Sequence, residues 1–117
     1  MKKFKFITDP GHAWLEVALG DIESASVSLD EFSPCSFIEG SNVYLEEDVD
    51  APLFMLAYET KYGSFMLETV HVHAFDRSRE RLPGTRYDFE RTMHRCVDME
   101  AALNPFDFVN FDEPGRN

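Results

Sequence analysis

His71 and His73 stand two residues apart in a stretch, residues 64–75, that is rich in β-forming side chains. On a strand this spacing turns both imidazoles to one face, where with a third ligand such as His12 or Asp76 they could share a transition metal. Phe65, Leu67 and Phe75 fall on the same face. Such neighbours equally suit histidines packed at the edge of a core, so the pair is a candidate metal site that carries its plainer alternative with it.

Glu46-Glu47-Asp48-Val49-Asp50 crowds four carboxylates into five positions. Hard oxygen ligands at that density could attract Ca²⁺ or Mg²⁺, although the glycine and spacing of an EF-hand loop are missing. A structural account is more economical. Asp50 would cap a helix that begins with Ala51-Pro52, and the other acids would sit near its positive end, each favoured there by about 0.3–1 kcal/mol.

His12 follows Asp9-Pro10-Gly11, and with Asp9 or Glu16 it could act as an acid or base. Nothing supplies a nucleophile. The chain has no Gly-x-Ser-x-Gly elbow, no phosphate-cradling glycine loop and no His-Glu-x-x-His pair, so no catalytic residue and no cofactor is assigned. Arg77, Arg79, Arg81 and Arg86 form a short basic stretch without interleaved aromatics. Such arginines could meet RNA or an acidic partner, but pairing with the chain's own acids is the preferred reading.

These groups must be positioned by local elements. Lys3 to Thr8 alternates polar with apolar residues, the period of a strand with Phe4 and Phe6 turned inward. Asp9-Pro10-Gly11-His12 reads as a type II turn leading to a return strand over residues 13–18. Residues 19–34 hold a short helix or turn, with Asp21 as a possible cap and Ser28-x-x-Glu31 as a capping box. Residues 36–38 and 42–46 form a second hairpin with Val43 and Leu45 inward. A helix starts after Asp50 and stops at Gly63, and residues 64–75 suit a strand central in the sheet, since neither face is cleanly polar.

Residues 77–84 read as a charged linker, and Thr85-x-x-Asp88 could open a helix carrying Phe89, Met93, Cys96 and Val97. Beyond Asn104-Pro105, the stretch from Phe106 to Glu113 mixes aromatic with acidic residues, the composition of an added strand or of a segment that docks in a partner's groove.

The fold expected is therefore α+β: a small antiparallel sheet of about five strands, two hairpins plus a strand, packed by one or two helices. It divides into an acidic core over residues 1–83 and a helical C-terminal extension over residues 84–117, whose aromatic-acidic tail is expected to pack on the core. At 117 residues the chain is one domain in size, with 44% hydrophobic and 14% aromatic residues to build a core. No apolar run is long enough to span a bilayer, and the N-terminal pattern is that of a strand instead of a signal peptide. A cytosolic protein is expected, with Cys35 and Cys96 as free thiols.

Residues 1–76 hold fourteen acids against four lysines, and residues 77–117 hold eight acids against seven arginines. The net charge is thus −10 in front and −1 behind. That balance argues against direct nucleic-acid binding, which needs clustered Lys and Arg.

With Asp9-Pro10-Gly11-His12-x-Trp14, then Ser33-Pro34, then Val43-Tyr44-Leu45-Glu46-Glu47-Asp48-x-Asp50-Ala51-Pro52-Leu53-Phe54, and a late His ahead of an Arg-rich flank ending in Leu82-Pro83, the chain resembles a set of small proteins encoded by phages and plasmids. It departs from their pattern at Ala13, at Val49 and across Ala74-Phe75-Asp76-Arg77, and residues 84–117 extend past the point where they end. The resemblance implies a mobile-element origin and supplies no catalytic residues.

The function expected is that of an accessory protein that binds a host protein with a basic surface, such as a nucleic-acid-binding defence complex, and inhibits or redirects it. Glu39, Glu46, Glu47, Asp48 and Asp50 would imitate DNA phosphates, as in an anti-CRISPR or anti-restriction inhibitor, and Phe108 and Phe111 would make further contacts. The alternatives are a metal-binding protein or small metal-dependent enzyme centred on His71 and His73, and a virion structural or assembly component. A homo-oligomer is left open.

Overall fold

The alternation from Lys3 to Thr8 does form a strand, β1 (Lys3–Thr8), antiparallel to β2 (Ala13–Ala18) with Lys5 opposite Glu16 and Ile7 opposite Trp14. The structure is a computed structural model and describes residues 1–103. The turn between these strands is not type II, because Gly11 is not among the glycines with positive φ. The Asp9 side chain shapes it instead: its Oδ1 accepts the N–H groups of Gly11 at 2.9 Å and His12 at 2.8 Å. Asp can supply such an acceptor where a backbone carbonyl would otherwise be needed.

The second hairpin joins β3 (Phe37–Glu39) to β4 (Asn42–Glu46) through Gly40 and Ser41. Gly40 takes φ 61°, the left-handed geometry a two-residue hairpin asks of its first loop position. A short helix α1 (Leu19–Ser24) and a 3-10 turn at Leu29–Glu31 bridge the hairpins. Glu31 reaches back to the Ser28 N–H at 2.7 Å, as the capping-box pattern predicts, whereas Asp21 pairs with Lys2 at 3.0 Å.

α2 (Ala51–Tyr62) then carries the chain from β4 across β2 and β1 to β5 (Met66–His71) at the sheet's edge. A helical crossover returns the chain in the direction it left, so β5 runs parallel to β1, with Lys3 opposite Met66 and Thr8 opposite His71. This corrects two expectations: the sheet is mixed, and the strand after α2 lies at an edge.

Residues 77–84, expected as a charged linker, contain a further strand, β6 (Glu80–Arg81), paired with β3 at the opposite edge. Its anchor is Leu82, wholly buried, whose N–H donates to the Ser36 carbonyl at 2.9 Å. Gly84 follows with φ 63°, and a Cβ there would come within 2.6 Å of the Pro34 ring. The fold is thus α+β, with, among the described residues, a six-stranded sheet in the order β5-β1-β2-β4-β3-β6 and three helices.

One sheet face, carrying Phe4, Leu15, Val17, Val43 and Leu45, packs against Ile22 of α1 and Leu53, Phe54, Ala57 and Tyr58 of α2. Each large side chain removed from water there contributes about 1.5–3 kcal/mol. The last helix, α3 (Phe89–Leu103), is capped by Asp88, whose Oδ1 accepts the Arg91 N–H at 3.0 Å. It leans on the same core through Cys96 and Met99, and Arg95 reaches Glu31 at 2.7 Å. Among the described residues, no helix is long and apolar enough to cross a membrane.

Candidate functional site

The opposite face of the sheet bears a second apolar cluster, Trp14, Phe37, Tyr44 and Phe75. Phe75 is delivered from the segment after β5 and stacks on Trp14, with Tyr44 edge-on at 5.5 Å. The chain then runs back over this cluster and lays an arginine on each ring. The guanidinium of Arg77 lies 4.9 Å from the Trp14 ring centre, that of Arg79 lies 4.4 Å from Tyr44 and 4.7 Å from Phe75, and that of Arg81 lies 4.8 Å from Phe37. The alternation Arg-x-Arg-x-Arg turns all three toward the sheet, where delocalised cations sit well on aromatic faces.

Each of these arginines is also held at its rim. Arg77 meets Asp9 at 3.2 Å, Arg79 meets Glu39 at 3.1 Å, and Arg81 donates to the Pro34 carbonyl at 2.9 Å. Asp9 accepts in addition the N–H groups of His12 and Phe75. Those backbone donors, with Arg77 beside them, lower its pKa from 3.8 to about 2. Of the four arginines expected to pair with the chain's own acids, Arg77, Arg79 and Arg86 do so, the last with Asp30 at 3.5 Å, whereas Arg81 rests on the Phe37 ring and the Pro34 carbonyl instead.

Next to this surface the Ser33-Pro34-Cys35-Ser36 loop is clasped by Asp50, only 1% exposed. Asp50 Oδ1 accepts the Ser33 N–H at 2.9 Å, and Oδ2 accepts the hydroxyls of Ser33 at 2.7 Å and of Ser36. Ser36 in turn accepts the Glu46 N–H at 2.9 Å, which ties the loop to the end of β4. Asp50 therefore stands at the start of α2 but makes no capping hydrogen bond to it. Burial pushes its pKa up, the Ser36 and Ser33 donors pull it back, and the nearby Glu46 pushes it up again.

Glu46 is likewise turned inward, 8% exposed, and its Oε2 accepts the N–H groups of Asp48 at 3.1 Å and Val49 at 3.0 Å. This bond folds the acidic stretch into a tight turn. As a result, Glu46, Glu47 and Asp48 can bring one carboxylate oxygen each to within 4.8 Å of one another. Burial, followed by the charges of Asp48 and Glu46, raises the pKa of Glu47. One oxygen from each of three residues falls short of the six to eight that Ca²⁺ takes.

The turn forms one wall of an open cleft of about 340 Å³, lined by His12, Trp14, Cys35, Phe37, Glu46, Asp48, Val49, Arg77 and Arg81. Trp14 is 2% exposed, and its indole Nε1 has no hydrogen-bond partner among the described residues. The cleft thus joins an aromatic floor to an acidic rim and to two engaged guanidiniums.

The five carboxylates singled out from the sequence therefore separate. Asp50 and Glu46 are turned into the fold, a correction to the expected exposed row, because each is spent on hydrogen bonds that shape the Ser33–Ser36 loop and the 46–50 turn. Glu39 is exposed but carries Arg79. Glu47 and Asp48 remain at the surface. His71 ends β5 with Nδ1 2.8 Å from the Thr8 hydroxyl, and His73 lies beyond the strand, so the pair does not share one strand face as expected. Among the described residues, the group able to bring three metal-ligating side chains together is Glu46-Glu47-Asp48, not the histidines. Phe108 and Phe111 lie outside the described residues.

The sequence assigns no role to Ser33, Ser36 or the Trp14–Phe75 stack, although Trp14 and Ser33 stand in the motifs that carry the resemblance. Their signal is faint: two serines in a Ser-Pro-Cys-Ser loop and one tryptophan after a turn resemble many unremarkable surfaces. No protein-family model, no curated protein and no solved structure matches this chain.

Proposed function

We propose that this protein is a non-catalytic binding module of a phage or other mobile element, and that it inhibits or redirects a host-cell protein by docking on that protein's basic surface. The contact would be made by the 46–50 turn, with Glu47 and Asp48 reaching out and Glu46 holding the turn in shape. One contrast supports this reading. Asp9, Asp21, Asp30, Glu31 and Glu39 each have a Lys or Arg within 3.5 Å. Glu46, Glu47 and Asp48 converge on one point, and no ion pair reaches them among the described residues.

Carboxylates held together without a cation repel one another, and an incoming lysine or arginine relieves that repulsion. The adjoining aromatic floor offers apolar area beside the charge, the mixture of core and rim found in specific interfaces. A host-cytosol setting, and a target such as the basic channel of a defence nuclease, rest on the acidic balance and on the resemblance to phage and plasmid proteins.

The test is capture of host proteins on the immobilised full chain, compared with its Glu47→Lys/Asp48→Lys variant at about 0.05 and 0.3 M salt. A specific partner should be retained at low salt by the native chain and lost at least tenfold in the variant and at high salt. Equal capture by both chains at both salts would overturn the proposal.

A further inference from the structure

The two edges of the sheet differ. β6 is short, and both its residues, Glu80 and Arg81, are charged, which makes an edge that resists pairing. β5 at the other end has six residues, with one acid, Glu68, and no Lys, Arg or Pro. Its register with β1 is unbroken from Met66 to His71, so no bulge turns it aside. Met66 and Leu67 stand 52% and 44% exposed. An edge of this length and composition is a template for another strand.

The backbone groups of β5 are sorted by position. Met66 donates its N–H to the Lys2 carbonyl and Val72 donates to Thr8, each at 2.8 Å. The strand's period of two turns the N–H and C=O of Glu68 and Val70 toward β1 as well. Leu67, Thr69 and His71 therefore point theirs away from the sheet, and among the described residues no backbone partner meets them.

We propose that a second copy of this chain pairs with this edge, β5 against β5 about a twofold axis through Thr69, so that two sheets become one. Antiparallel pairing sets outward-pointing residues opposite one another, which allows a centre at Glu68, Thr69 or Val70. A centre at Glu68 puts two carboxylates face to face. A centre at Val70 sends Leu67 against His73, beyond the strand. The centre at Thr69 uses all three outward residues of each copy: Thr69 meets Thr69, and Leu67 meets His71 on either side, each pair exchanging both N–H···O=C bonds. Between them Glu68 meets Val70. Cross-strand Thr–Thr pairs are favourable, whereas like charges directly opposite are not.

Leu67 also stands opposite Phe4 in the pairing with β1, so its exposed side chain continues the face that packs on α2, and a facing copy covers it. The charged β6 offers no second open edge, so association closes at two copies instead of growing into a filament. One strand pairing is small for an interface, and the dimer should form across the micromolar to millimolar range.

Sedimentation equilibrium of the full chain tests this against Thr69→Pro. Proline there removes an outward N–H and takes no bond from β1, a placement that edge strands tolerate. The native chain should pass from monomer to dimer as concentration rises, and Thr69→Pro should raise the dissociation constant at least tenfold. Leu67→Lys, at an exposed position, should do the same while leaving the backbone alone. Hydrogen exchange reads the register: the amides of Leu67, Thr69 and His71 should slow at least fivefold in the dimer, and those of Glu68 and Val70, already bonded to β1, should barely change. Each copy carries a net charge of −11, so raising salt from about 0.05 to 0.3 M should tighten the dimer, the reverse of its effect on capture of a basic partner. A chain that stays monomeric at every concentration would overturn the proposal. So would a dimer that both variants leave intact, or one whose three outward amides exchange as in the monomer.

Discussion

Trp14 and Phe75 lie face to face, their ring centres 4.0 Å apart and their planes 12° from parallel. They come from the first hairpin and from the segment after the last crossover, so the stack closes the sheet's second face over a separation of sixty-one residues. It is also the platform on which Arg77 and Arg79 rest.

Phe75→Ala should therefore do more than empty a cavity. Loss of a buried Phe costs about 3–5 kcal/mol in a core, and the lower end applies here because the cluster is small and rimmed by solvent. Denaturant unfolding should show that loss, with Phe75→Leu retaining most of the stability. A change below about 1 kcal/mol would mean that the arginines and the sheet hold the segment without the ring.

Ser36→Ala leaves the Asp50 carboxylate short of one donor and the Glu46 N–H short of its acceptor. Unpaired buried polar groups cost about 1–3 kcal/mol, so the midpoint of urea unfolding should fall accordingly. The direction of the pH effect follows from the raised pKa of Asp50. A carboxyl whose folded-state pKa is raised contributes most stability below its unfolded value and loses it as pH rises through the folded value. With one donor gone the folded pKa should rise further. The Ser36→Ala penalty should then shrink as unfolding is measured at pH values lowered toward the unfolded carboxyl's 3.8.

Asp9 works in the opposite sense. Its pKa is lowered from 3.8 to about 2 by the backbone donors and Arg77, so its contribution is present above its unfolded value and disappears as pH falls toward 2. Asp9→Asn should be less stable than the native chain at pH 6, and the two stabilities should converge by pH 2. Parallel acid-unfolding curves would show that the turn does not depend on this charge.

The four strands of the two hairpins were legible because their alternation is local and each is bounded by Gly, Pro or Asp. The role of β5 was not, since its sequence is apolar on both sides whether it sits at a centre or at an edge, and only the path of α2 decides. β6 was hidden for a different reason: Arg77 to Arg81 reads as solvated charge unless aromatic rings from other strands are known to wait beneath it. Asp50 was placed at the right helix terminus but given the wrong partner. A cap is a short-range inference, whereas its actual donors, Ser33 and Ser36, come from a loop fourteen to seventeen residues earlier.

The edge position of β5 bears on how the molecule comes off the ribosome. The first hairpin can pair its own strands as soon as it emerges, but two strands alone are marginal in water. β1 gains its outer neighbour only when Met66–His71 has been made, and the reverse side of the sheet stays bare until Phe75 to Leu82 follows. β1, with Phe4 and Phe6, therefore keeps an open edge until then, and the charges of Lys3 and Lys5 along that edge disfavour pairing with other chains.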